Sequence, residues 1–250
     1  MMLKKPIPDL EGKNIAILAM GNSQLDYHKM VTHSKKFDEV WAINAMVGVL
    51  KNVDRAFIMD PVSRFFDTDD AGNMTVMMRE VLPTIEYPIY TCELDNRVPA
   101  LEEYPIKSIV LDLDCGYFNN TIAYAIAFGL WNKVGGINMF GADFSYKGNL
   151  HFAEQGRGCC EFWLAKCIDE GIIVQTALTS GLLDANIPIQ EKMYGYHRLE
   201  DPFVSYRTEE DELKITRWSE VEKQQAIPIG LSGRKDGQIQ EGLIVEPKKY

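Results

Sequence analysis

Along the first 185 residues the apolar positions switch repeatedly between two periods. Short continuous apolar runs read as strands buried on both faces, and runs with apolar residues every three or four positions read as helices that cover them. Strands are expected at 15–21 (IAILAMG), 38–44 (DEVWAIN), 55–60 (RAFIMD), 88–93 (PIYTCE), 108–114 (SIVLDLD), in the run before Gly141, and at 172–177 (IIVQTA). Helices are expected at 24–36, at 73–82, in the apolar stretch after Asn119, and at 157–170 with Gly171 as its C-cap. Pro61 stops the third strand sharply. Strands alternating with helices of this length imply βαβ units, so the expected fold is α/β, doubly wound around a mainly parallel sheet.

The texture changes after about residue 185. Residues 186–250 carry scattered aromatics (Tyr194, Tyr196, Phe203, Tyr206, Trp218), an acidic run at 209–212 and Gly/Pro punctuation without clear periodicity. This segment reads as a C-terminal appendage: an arm that covers the core or joins subunits, or a lid over a site. An aromatic-bearing tail of this kind favours self-association.

Composition narrows the partners. A chain of 250 residues with 46% hydrophobic content can bury a sizeable core. A formal charge of -10 opposes nonspecific attraction to nucleic acid. No apolar run reaches membrane-span length and the N-terminus lacks a signal-peptide core, so the expected address is cytoplasmic. Cys92, Cys115, Cys159, Cys160 and Cys167 are odd in number and form no CxxC pair, which reads as reduced thiols rather than a disulfide framework or zinc site.

The polar residues at strand ends carry the candidate chemistry, because ligands of open α/β sheets bind beyond the carboxyl ends of the strands. Gly21-Asn22-Ser23 follows the first strand; it allows a tight turn, and Asn22 or Ser23 could cap the next helix and present its N–H groups to an anion. Neither a GxGxxG nor a Walker A loop can be written there, so ordinary hydride transfer and P-loop chemistry lose support. Asn44 and Asp60 end the second and third strands and Asp143 follows the strand before Gly141, all on one expected rim. An asparagine combines donor and acceptor and can read a base edge or a sugar hydroxyl, with turn formation as its ordinary use. Asn119, Asn120 and Thr121 open the apolar helix; one should cap it, and the others offer an anchor for phosphate or carboxylate. His151 sits in the polar segment KGNLHFAEQGRG, expected as a loop, and an imidazole ionises in the range that suits general acid/base work. His28 and His33 fall on an expected surface helix, and His197 lies in the appendage.

Taken in order, these motifs resemble the family 42 glycosyltransferases, the bacterial sialyltransferases, and the related domain of the archaeal-type 6-hydroxymethyl-dihydropterin diphosphokinases. Gly21-Asn22-Ser23 matches a GNGPS-like loop without its second glycine and proline, and Asn44 in VWAIN matches a strand-ending asparagine that contacts nucleotide. Asn120-Thr121 followed by IAYAIAFGLWNKVGGINMFGADF is similar to a helix-and-strand block ending in GxDF. The resemblance covers roughly residues 14–184 and implies a sialyltransferase-like variant of the doubly wound fold. It also implies that His151 is the base and that Tyr146 steadies the departing phosphate.

The resemblance further implies a glycosyltransferase with a nucleotide-sugar donor and no reliance on a DxD-bound metal. Asp112-Leu113-Asp114 spells DxD, but structural use is the favoured reading. Two alternatives remain. One is a magnesium-dependent diphosphokinase acting on a hydroxymethyl heterocycle, with Asp60, Asp143 and Asp114 as candidate ligands; the other is a noncatalytic nucleotide-binding protein. The acceptor could be a small molecule, a glycan or a modified nucleic acid.

Overall fold

The computed structural model describes residues 3–33, 35–69, 72, 74–146, 148–207 and 213–223. The chain divides into two compact units, residues 1–183 and 184–250.

Unit one is built on a seven-stranded sheet. Its strands are β1 (Asn14–Leu18), β2 (Glu39–Ile43), β3 (Arg55–Phe57), β4 (Ile89–Thr91), β5 (Leu101–Glu103), β6 (Gly136–Phe140) and β7 (Ile173–Thr176), in the order β5-β4-β3-β2-β1-β6-β7. Every pairing is parallel. The helices are α1 (Gln24–Thr32), α2 (Ser63–Phe66), α3 (Met74–Val81), α4 (Ile106–Leu113), α5 (Thr121–Trp131) and α6 (Leu150–Asp169). Side chains alternate along each strand between two buried clusters: Ile15, Ile17, Trp41 and Ile43 join one with α5 and α6, while Ala16, Leu18, Val40 and Ala42 join the other. Burial on both faces explains why β1 and β2 read as continuous apolar runs. α5 is apolar nearly all round because it is sunk in the first cluster.

Three sequence expectations are corrected. Residues 108–114 are not a strand; they belong to α4, which starts after Pro105, buries Ser108 and Ile109, and ends at Asp114 in a left-handed conformation. The sheet's last strand on that side is instead β5, whose LEE sequence is too short and too polar to show a period. The third is the start of α6, at Leu150 rather than Arg157, so His151 lies in a helical first turn and not in a loop. Two glycines in QGRG obscure this turn, since glycine is a poor helix former. Asn73, expected to begin α3, lies outside the described residues.

Unit two contains α7 (Ile189–Lys192), an antiparallel pair of β8 (Phe203–Arg207) with β9 (Leu213–Arg217), and α8 (Trp218–Lys223). The acidic run at 209–212 and the His197 side chain lie outside what is described. Among the described residues no helix is long and apolar enough to cross a membrane.

Candidate functional site

The sheet order reverses between β1 and β6: successive strands run outward from β1 to β5, and the chain then returns to lay β6 on the other side of β1. At such a switch point the connections leave in opposite directions and open a crevice beyond the carboxyl ends. A cleft of about 850 Å³ lies there, lined by segments following β1 (Ala19–Asn22), β2 (Asn44), β3 (Met59, Asp60) and β6 (Gly141–Tyr146), and by the start of α5.

The cleft floor is knitted by backbone contacts. Gly21 N–H donates to the Gly141 carbonyl at 2.8 Å, Gly141 N–H donates to Ser23 Oγ at 2.8 Å, and Ser23 N–H donates to Asp143 Oδ2 at 2.8 Å. Gly141 has φ +70°, and a Cβ there would collide with the Ala19 carbonyl, so only glycine fits. Ser23 is buried and makes no side-chain cap to α1; it ties the β1 turn to the β6 turn instead. Asn22 is exposed on the rim.

Two residues that line the cleft, Asn44 and Asp143, each carry a buried acceptor without a partner. Asn44 Oδ1 and Asp143 Oδ1 are shielded from solvent and have no hydrogen-bond partner. A buried orphan acceptor costs about 1–3 kcal/mol. Asn44 also holds a left-handed φ of +51°, a conformation asparagine tolerates better than most residues. Asp60 also lines the cleft, paired with Arg64 through an Nη1–Oδ1 contact of 2.7 Å. Both side chains of that pair are nearly half exposed, so the contact contributes little to stability and an incoming anion can displace the carboxylate.

Sequence expectation and structure part at the mouth of α5. Asn120 is its N-cap: Oδ1 accepts from Ala123 N–H at 3.0 Å and from the Cys160 thiol at 3.4 Å. Its Nδ2 donates to the Gly156 carbonyl at 3.2 Å and to Asn119 Oδ1 at 2.7 Å, while Asn119 Nδ2 donates to the Gln155 carbonyl at 2.9 Å. Both asparagines line the cleft, yet their amides bind α5 to α6. Thr121, at the first helical position, stands beside them with the helix N-terminus behind it.

The remaining wall is aromatic. Phe118 stacks on Tyr124 with centroids 4.5 Å apart, and Tyr146 meets Phe152 edge-on at 5.3 Å. Burial raises the Tyr146 phenol above its ordinary value, with the neighbouring Cys160 adding to the effect, so the hydroxyl stays a donor at neutral pH. Phe144 has φ +49°, strained for a bulky residue, and its ring fills the space where Gly156 has no side chain: a Cβ there would stand 2.8 Å from Cε1. His151 is exposed in the first turn of α6 and does not line the cleft, although its neighbour Phe152 does.

Arg64, Phe144 and Phe152 line the cleft without having been singled out in the sequence. The four-residue spacing of Asp60 and Arg64 was the one available signal for the cation. As to metals, Asp60 and Asp143 share the cleft, whereas Asp114 ends α4 elsewhere and Asp112 accepts from Trp131 Nε1 at 2.7 Å. Among the described residues no group of three or more His, Cys, Asp or Glu side chains is disposed to hold a metal ion. The donor set therefore does not form a ready cation cage.

No model of a known protein family matches the chain, and no curated protein sequence matches it. Among solved structures, it is similar to the sialyltransferase CstII from Campylobacter jejuni, determined in complex with the substrate analogue CMP-3FNeuAc. That likeness covers 68% of this chain and 82% of the other, at 15% identity and a TM-score of 0.41, a level that establishes neither family nor activity.

Proposed function

We propose that the chain is a glycosyltransferase that uses a nucleotide-sugar donor without a bound metal, with His151 as general base. The observation that carries this reading is the switch-point cleft, lined by Asn22, Asn44 and Thr121, the last at a helix N-terminus. A nucleotide matches that combination. Asn22 and Asn44 hold polar groups of its base or ribose, its phosphate sits near the α5 terminus and Arg64, and the aromatic wall packs against a ring.

In the reaction, the acceptor oxygen bonds to the anomeric carbon as the bond from that carbon to the phosphate oxygen breaks. The nucleotide leaves with the electron pair, Tyr146 donates a hydrogen bond to the leaving phosphate, and His151 takes the acceptor proton.

The test is a thermal-shift panel of CMP, UMP, GMP, AMP and their sugar conjugates, each with and without magnesium, followed by donor turnover. A shift for one base without metal is expected. His151→Ala should lower turnover by about 10²–10⁴-fold and leave the nucleotide shift within a few fold. Equal loss of both would remove the base assignment. A response confined to ATP with magnesium would replace this reading by the diphosphokinase, and a nucleotide shift without donor consumption would replace it by a noncatalytic binder.

A further inference from the structure

Among the described residues, Arg64 is the one cationic side chain that lines the cleft. It rides on α2, a single turn of four residues. A helix that short has no stability of its own and takes its place from whatever holds it. The core holds only part of it: Val62 and Phe65 are buried, while Arg64 and the residues from Asp67 to Asp69 are exposed.

The rest of the hold is polar and comes from two arginines in different parts of the chain. Arg79, on α3, donates through Nε to the Phe65 carbonyl, and through Nη2 to the Thr68 carbonyl at 2.8 Å and to Asp69 Oδ1 at 2.9 Å. These bonds answer carbonyls that the end of a helix leaves open. Arg97, in the connection between β4 and β5, grips Asp67 with a fork: Nη1 donates to Oδ1 at 2.5 Å and Nη2 to Oδ2 at 2.9 Å. Asp95 steadies the same guanidinium by accepting from Nε at 2.9 Å, and Cζ stands 4.7 Å from the centre of the Phe66 ring. Asp67 N–H donates to the Ser63 carbonyl at 2.7 Å, closing the turn that carries Arg64, so the fork on Asp67 holds that turn as a whole.

Ion pairs this exposed add little to stability. A planar fork with two bonds does fix orientation. From this geometry, and resting on the glycosyltransferase reading above, we infer that Arg97 is a positioning residue for the ligand's phosphate: it sets α2, and through α2 the Arg64 guanidinium, against the anion. Arg79 serves the same turn from α3. A hydrogen bond weakens steeply when its donor is turned away, so the fork acts on affinity for the phosphate and not on the hold of Asn22 and Asn44 on the base or ribose.

Isothermal titration of the full chain with the best nucleotide of the panel, and with the matching nucleoside, tests this. Arg64→Met should weaken nucleotide binding by about tenfold and leave the nucleoside within about twofold. Arg97→Met and Asp67→Asn should each weaken the nucleotide by about threefold or more and spare the nucleoside. In the Arg64→Met background, Arg97→Met should have no further effect, because the group it positions is gone. A melting curve without ligand checks that each variant is folded, and Asp67→Asn, which keeps the side-chain shape, carries the test if Arg97→Met does not fold. Unchanged nucleotide affinity in Arg97→Met or in Arg64→Met, equal loss of nucleotide and nucleoside, or an Arg97→Met effect that persists in full without Arg64 would overturn the inference. Absence of any nucleotide response in the unsubstituted chain would instead remove the reading on which it rests.

Discussion

The two ends of the same sheet are built on opposite principles. At the amino end, the buried carboxylate on β2 is fully answered. Glu39 accepts from Arg55 Nε at 2.7 Å and Nη2 at 3.2 Å, from Trp41 Nε1 at 2.8 Å and from Lys13 Nζ at 3.0 Å. Asn138 donates to Asn14 Oδ1 at 2.7 Å and to the Ile15 carbonyl at 2.9 Å. At the carboxyl end, Asn44 Oδ1 and Asp143 Oδ1 stay unanswered, and Asn44 and Phe144 hold left-handed backbones, as Lys133 does ahead of β6 at the other end. The amino end is finished as structure. The carboxyl end keeps local costs of a kind that collect where a ligand completes the arrangement.

The sharpest way to break this contrast is Glu39→Ala. It strands the half-buried Arg55 guanidinium and should cost about 3–5 kcal/mol of stability, read by urea unfolding, with the nucleotide thermal shift retained. pH reports on the same network. Burial works against the Glu39 carboxylate, but the bonds from Arg55, Trp41 and Lys13 prevail and hold its pKa below the ordinary 4.5. Its contribution is therefore present above that value and lost as pH falls through the lowered one, a loss Glu39→Gln should abolish. If Glu39→Ala removed the nucleotide response from a folded protein, the two ends would not be separable.

Gly141→Ala comes next. The left-handed backbone and the collision with the Ala19 carbonyl should cost about 2 kcal/mol or more, and the nucleotide response should fall with it because this residue shapes the cleft floor. Unchanged binding and stability would mean that the β1 and β6 turns are not coupled. Asn44→Gly gives the smallest effect and the opposite sign. Relief of the left-handed backbone and removal of an orphan acceptor should hold or raise stability, by up to about 1 kcal/mol, while nucleotide affinity drops. A loss of stability would assign Asn44 to structure.

What was legible in the sequence follows the same division. Strands buried on both faces, such as β1, β2 and β6, announce themselves as apolar runs, and the apolar α5 does likewise. β5 is short and half exposed, so packing left no period in it. α4 misled because SIVLDLD alternates over a few residues while its burial follows helical spacing from Ile109. In the site, Asn44, Asp60 and Asp143 were readable because position just beyond a parallel strand predicts the rim, although the third strand, expected to run to Asp60, ends at Phe57. That one of Asn119, Asn120 and Thr121 caps α5 was readable, and Asn120 does so; the contacts of Ser23 and Asn120 to Gly141, Gly156 and Cys160 were not, since those partners are distant in sequence. Phe144 was missed because its place depends on the absence of a side chain at Gly156.

The hydrogen bond between Cys160 and the α5 cap also gives the protein a built-in chemical clock. Burial raises the Cys160 thiol far above its ordinary value and pushes Cys167 up to about 12, so neither presents thiolate to an alkylating reagent while the fold is closed. Cys92 is exposed, and although burial raises its thiol as well it provides the accessible reference against which the buried thiols are compared. Slow labelling of Cys160 then measures how often the α5–α6 contact beside the cleft opens, and slowing of that labelling by a nucleotide would report occupancy without any assay of turnover.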